Sequence, residues 1–145
     1  MFKALLLPTD GSPLSEQAVR QGVALAKALD ARVVGLHVTL PFHVLATAPI
    51  ILASSAEQYD HDVAEAARKY LATVETEAKN AGVAYYCLTR SSDHPYEEII
   101  EVARQMHCDA ICMASHGRRG MSAMVLGSET NKVLTHSKIP VMVFR

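Results

Sequence analysis

The sequence is short of the features that mark several functional classes. None of its apolar runs reaches the roughly 18 residues needed to cross a bilayer. Its three cysteines are too few for a disulfide framework, so a reduced protein is the simplest expectation. A formal net charge of −1 gives no general basis for gripping nucleic acid or an acidic membrane surface. Low-complexity tracts, linkers and internal repeats are absent. Met1-Phe2-Lys3 leads straight into a strand-like run, so a cytoplasmic protein without a cleavable signal is expected.

What is present is a chain of 145 residues that is 50% hydrophobic and 20% charged. That is the composition of a folded chain with one sizeable core, and one domain over residues 1–145 is expected. Ala4-Leu5-Leu6-Leu7 is a short continuous apolar run, as in a strand covered on both faces. Pro8-Thr9-Asp10-Gly11-Ser12 ends it. Ser12 before Pro13 is a good helix start, and Leu14, Ala18, Gly22, Leu25 and Leu29 mark one helical face. Arg32 to Thr39 reads as the second strand. A helix is expected from Ala56 to Asn80, with Val63, Ala67, Tyr70, Val74 and Ala78 inward and Gly82 as its C-cap. The third strand is expected over Val83 to Thr89. The next helix starts around Pro95, and the fourth strand covers Asp109 to Ala114. The last helix runs from Ser128 to about His136, with Val133 and Leu134 inward, and Pro140 to Phe144 is the fifth strand.

Strand–helix alternation requires parallel pairing with helical crossovers on both faces, which gives an open doubly wound α/β sheet. Ligands of such sheets sit beyond the carboxyl ends of the strands, where strand order reverses. Two polar strand exits stand out there: Pro8-Thr9-Asp10 and Ser115-His116-Gly117. The stretch from Leu40 to Ser55 is apolar but broken by Pro41 and Pro49. It reads equally as a lid or interface and as a loop packed over the core.

The stretch from Ala110 to Thr130 carries most of the chemistry. An apolar strand breaks into Ser115-His116-Gly117-Arg118-Arg119-Gly120 and closes on Gly127-Ser128 before a helix. Glycine allows close backbone approach to an anion, and the free N–H groups of a helix start favour it. This is not a Walker A loop, because Gly127 is followed by Ser128-Glu129 rather than Lys. Nor is it a dinucleotide fingerprint, since only Gly117 and Gly120 have the required separation. The spacing is A-x2-G-x9-G-S, from Ala114 through Gly117 to Gly127-Ser128. A glycine-containing connection without any ligand is the plain alternative. Cys108, Cys112 and His116 resemble a metal cluster only on paper. Cys112 and His116 are separated by four strand residues, or roughly 13 Å, too far for one tetrahedral ion.

This spacing resembles the G-x2-G-x9-G-[ST] nucleotide motif of the universal stress protein family, with Ala114 in place of the first glycine. The opening L-L-L-P-T-D-G-S and the closing I-P-V-M-V-F resemble the same family, so the likeness spans the whole chain. It implies one five-stranded parallel sheet in order 3-2-1-4-5 flanked by four helices. It also implies a homodimer formed through the last strand, around Val141 and Val143, and places the chain with the members that bind ATP. On that likeness Asp10 accepts from the adenine amine or the ribose hydroxyls, with Pro8 and Thr9 shaping the wall. The backbone of Val38 contacts adenine, and Met113 and Ala114 lie under the nucleoside. N–H groups around Gly117, Gly127, Ser128, Glu129 and Thr130 hold the phosphates, with charge from Arg118 and a hydrogen bond from His116.

The expected function is an ATP-binding regulatory module of the stress-response type, with ATP carrying Mg²⁺ and acting as a switch for dimer or partner contacts. A slow ATP hydrolase on the same fold is the first alternative. Fast hydrolysis needs a positioned base and usually an acidic pair for metal, and the crevice offers only Asp10 and Glu129. A nucleotide-independent partner-binding protein that uses Leu40 to Ser55 is the second alternative. A response-regulator receiver is excluded, because Thr89-Arg90-Ser91 follows the third strand where an Asp would be needed.

Overall fold

The computed structural model describes residues 2–41, 56–117 and 126–145. Its elements in chain order are β1 (Ala4–Pro8), α1 (Pro13–Leu29), β2 (Arg32–Thr39), α2 (Ala56–Ala81), β3 (Tyr85–Ser91), α3 (Pro95–Gln105), β4 (Ala110–Ala114), α4 (Ser128–His136) and β5 (Val141–Phe144). Every strand pairing is parallel, and the sheet order is β3-β2-β1-β4-β5.

The apolar run of β1 divides between two cores as a pleated strand must. Leu5 and Leu7 face α1 and α2 together with Val19, Val23, Val74 and Ala78. Ala4 and Leu6 face the other layer, with Ile99, Val102 and Ala103 of α3 and Val133 of α4. The strand is therefore buried on both faces, which explains why its sequence does not alternate. Strand order reverses between β1 and β4, where Leu5 pairs with Ala110 and Leu6 with Ile111. The carboxyl ends of these two strands form the switch-point crevice.

Several expected details move. In α1 the face centres on Ser15, Ala18, Val19, Gly22, Val23 and Ala26, while Leu14, Leu25 and Leu29 are only half-buried. Small residues at the centre let the helix sit close to the sheet, and the leucines seal its margins. β3 starts at Tyr85 rather than Val83, because Val83 is still part of the preceding helix cap. Its N–H donates to Ala78 O at 2.9 Å, and the Gly82 N–H donates to Lys79 O at 3.1 Å, with Gly82 at φ 69°. That is a Schellman closure. Leu134 is not inward: it is 40% exposed, while Val133 is fully buried. β4 and β5 begin at Ala110 and Val141, one residue later than expected. The Asp109 carboxylate accepts the Ala4 N–H at 2.9 Å, and the Pro140 carbonyl accepts the Ile111 N–H at 2.9 Å. Leu40 and Pro41 are described, but the rest of the apolar stretch to Ser55 lies outside the described residues.

Candidate functional site

The exit of β1 is held by hydrogen bonds among its own polar groups and by bonds to β2. Thr9 continues the ladder through N–H donation to Leu36 O at 2.9 Å. The Ser15 hydroxyl donates to Ser12 O at 3.0 Å. It therefore accepts at 3.0 Å from the Thr9 hydroxyl, which in turn accepts the Gly11 N–H at 3.2 Å. Ser12 caps α1 by accepting the Ser15 N–H at 3.2 Å. Asp10 Oδ1 accepts the Ser12 N–H at 3.0 Å. These bonds fix the aspartate backbone and one carboxylate oxygen.

The other oxygen lies over the β4 exit. A Cβ built on Gly117 would press against Asp10 Oδ2, so a side chain there has to displace that carboxylate. The two polar strand exits singled out in the sequence thus meet in one crevice.

The start of α4 is tied to β4 from both sides. The Gly127 N–H donates to Ser115 O at 2.8 Å, and the Thr130 hydroxyl donates to Ala114 O at 2.9 Å. A Cβ on Gly127 would lie 3.2 Å from Ser115 O and 3.3 Å from His116 Cα. A side chain at this position would crowd the β4 exit as well as any approaching anion. Because the Gly127 amide is already bonded, the amides of Ser128, Glu129 and Thr130 are the remaining first-turn donors of this helix, which no side chain among the described residues caps. Ala114 is an ordinary strand residue paired with Phe144, and the positive-φ residues lie elsewhere. Its methyl group carries no backbone strain.

His116 Nδ1 lies 2.9 Å from the buried Ser115 hydroxyl, while its Nε2 is buried with no hydrogen-bond partner, the one such side-chain atom among the described residues. Glu129 turns away from the β4 exit. Its carboxylate accepts the Tyr96 N–H at 2.9 Å and the Lys132 ammonium at 2.9 Å.

A cavity of about 970 Å³ occupies the crevice. Pro8, Thr9, Asp10, Val38, Met113, Ala114, His116, Gly117, Gly127, Ser128, Glu129 and Thr130 all line it. Arg118 lies outside the described residues. The sequence reading missed one wall of this cavity, made by His37 at the end of β2 and by Tyr59, Val63, Ala66 and Tyr70 of α2. Val63 and Tyr70 carry the helical period of core residues, and only the reach of α2 past the strand ends turns that face toward an opening. Asp93 and Pro95, before and at the start of α3, were missed as well.

The cysteines take no part in this crevice. Burial pushes the Cys112 thiol up to about 12 and the Cys108 thiol up to about 11. Cys112 is 1% exposed and belongs to the core. Among the described residues no three His, Cys, Asp or Glu side chains are grouped to hold a metal ion. No described helix is long and apolar enough to cross a membrane.

The profile of the Universal stress protein family matches residues 1–145. The chain belongs to the universal stress protein family. It is 29% identical to Universal stress protein MJ0531 of Methanocaldococcus jannaschii, over 100% of this chain and 83% of that protein. The solved structure of MJ0577, from the same organism, superposes with a TM-score of 0.79 at 26% identity and covers 99% of this chain and 95% of that one. Two further universal stress proteins share the fold and were solved with adenine nucleotides. One, in complex with cAMP, has a TM-score of 0.70 at 19% identity and covers 99% of this chain and 97% of its own. The other, from Archaeoglobus fulgidus in complex with dAMP, has a TM-score of 0.69 at 18% identity and covers 100% and 98%.

Proposed function

We propose that the crevice between β1 and β4 is an adenine-nucleotide site and that the protein is a nucleotide-dependent regulatory module, with ATP as its ligand. The observation that carries this reading is the meeting of Asp10 with Gly117 at the switch point, beside a helix start that no side chain among the described residues caps. A carboxylate that accepts from an amine or ribose hydroxyls stands on one side of the cavity, and amides that donate to phosphate stand on the other. The cAMP and dAMP complexes of proteins with this fold support the same ligand class.

In this reading Asp10 accepts from the nucleoside, the wall of Pro8, Thr9 and Val38 encloses the base, and Met113 and Ala114 form its floor. Ser128, Glu129 and Thr130 donate backbone N–H groups to phosphate, and Gly117 leaves them unobstructed. His116 adds a hydrogen bond, and Arg118 adds charge. Mg²⁺ travels on the phosphates. β5 lies at one edge of the sheet with Val141 and Val143 half-buried, and a second copy pairing through this strand gives the dimer that the nucleotide regulates.

Calorimetry with ATP and Mg²⁺ on protein freed of co-purified nucleotide tests the reading. Micromolar affinity that is lost in Gly127→Asp is the expected result, because a carboxylate at that position repels phosphate and crowds Ser115 O. No heat of binding, and no nucleotide carried through purification, would reject it.

A further inference from the structure

We propose that His37 and Tyr70 are positioning residues for the Asp10 turn, and that Tyr70 couples helix α2 to occupancy of the cavity. The coupling rests on the nucleotide reading above.

The Thr9 carbonyl can only accept a hydrogen bond, and His37 Nδ1 stands 2.8 Å from it. Nδ1 therefore carries a proton whether the ring is neutral or charged. Two residues on, Gly11 has a φ of 73°, a left-handed conformation that a glycine adopts without strain and also leaves easily. The Tyr70 ring packs against this turn. A Cβ built on Gly11 would overlap Tyr70 Cδ1 and Cε1, so the ring rests directly on the turn where a side chain would be. The same ring meets His37 edge-on, with centroids 5.0 Å apart and planes at 70°.

Asp10 sits between these two restrained neighbours. The imidazole from β2 holds Thr9, and the phenol ring from α2 covers Gly11. Farther along α2, Val74 and Ala78 anchor the helix to the sheet core. Toward the cavity the same helical face continues through Tyr70, Ala66 and Val63. Tyr70 is thus the point where α2 passes from core to cavity wall, and it meets the turn that presents Asp10. A ligand that fixes Asp10 favours the seated ring and a docked α2, and loosening α2 releases Asp10. The two effects are equal in free energy, as linkage requires.

The test uses the full chain and begins without ligand. The Gly11 and Ser12 amides are bonded to Thr9 Oγ1 and Asp10 Oδ1, so their hydrogen exchange reports the turn directly. Tyr70→Ala should speed exchange at both by about tenfold, within the usual range of coupling energies. Tyr70→Phe, which keeps the ring, should stay within about twofold of the parent. His37→Leu should speed exchange, and His37→Asn, which keeps a donor, should restore much of the protection. If Tyr70→Ala does not fold, Tyr70→Leu keeps apolar volume without the flat ring and takes its place.

ATP is then added. It should slow exchange over residues 63–74 in the parent and in Tyr70→Phe. Tyr70→Ala should bind about tenfold more weakly and lose that protection. Parent-like exchange at Gly11 and Ser12 without the ring overturns the positioning role. ATP binding that leaves α2 exchange unchanged overturns the coupling. A parent protein that does not bind ATP rejects the nucleotide reading and the coupling with it, while the ligand-free exchange still decides the positioning role.

Discussion

Glu129 Oε2 accepts the Tyr96 N–H at 2.9 Å, so a side chain from the start of α4 caps the start of α3. The helix needs it, because His94 occupies the N-cap position of α3 without a side-chain cap of its own. Pro95 lacks an N–H, so the Tyr96 amide is the first donor of α3 that requires a partner. Lys132 holds the second carboxylate oxygen at 2.9 Å. Glu129→Ala should therefore cost about 1 kcal/mol, the usual value of a lost cap. In a chain of this length that lowers the melting temperature by about 3 °C in scanning calorimetry. Glu129→Gln keeps an acceptor and should lose less than half as much. An unchanged melting temperature in the Ala variant would show that solvent caps α3 equally well.

The packing of Asp10 over Gly117 separates two glycine positions of the motif. Gly117→Ala pushes the carboxylate aside and should weaken ATP binding by about tenfold or more, the scale of a small misplacement at a binding group. Ala114→Gly restores the residue that the family motif has there, yet Ala114 is regular strand with no positive φ. It should cost about 0.5–1 kcal/mol of stability and leave ATP affinity within about twofold. Calorimetric titration of both variants checks the pair. A large gain in affinity from Ala114→Gly would mean that the methyl group obstructs the ligand.

The sheet order was implied by the likeness to the family, whereas the two polar strand exits were legible because they rest on strong local signals. β1 is uniformly apolar, Asp10 and Gly11 break it, and the spacing of Gly117 and Gly127 matches a known motif. The start of β3 was not legible. Val83 is apolar and β-branched like a strand residue, but its amide closes the cap of α2. Nor could the sequence show that α2 supplies a cavity wall. Val63, Tyr70 and Val74 share one helical period, and only the distance by which the helix passes the strand ends separates lining from core. The contact of Tyr70 with Gly11 spans 59 residues of chain and depends on how α1 and α2 pack side by side.

Val133 and Leu134 give a sharp test of facing in α4. The sequence offers both as inward, but adjacent helical residues point about 100° apart and one must leave the core. Val133 is fully buried and Leu134 is 40% exposed. Val133→Ala removes two buried methyl groups and should cost about 2 kcal/mol. Leu134→Ser should fall within about 0.5 kcal/mol of the parent, as surface changes do. Urea unfolding of the two variants measures both. A cost at Leu134 as large as that at Val133 would mean that another surface covers it in solution, and a dimer contact would then be tested by sedimentation of Leu134→Ser.

The cysteines predict a chemical behaviour and its pH dependence. Burial pushes Cys87 and Cys108 up to about 11 and Cys112 up to about 12, with the charge of Glu75 adding to the rise at Cys87. The thiolate is the reactive form, so at pH 8 only about one Cys87 or Cys108 in a thousand is poised to react. Native protein should therefore label very slowly with an aromatic disulfide reagent at pH 8, and its initial rate should rise about tenfold on going to pH 9. Denaturant should release all three free thiols at once. The same shifts fix the direction of the stability effect. Their folded-state values lie above the ordinary thiol value of about 8.5, so these groups favour the fold fully below that pH. That contribution is lost as pH rises through about 8.5 toward 11–12, where unfolding lets the thiols ionise. Rapid native labelling at pH 8 would show that a thiol counted here as enclosed, Cys87 first because it is only half-buried, is open to solvent.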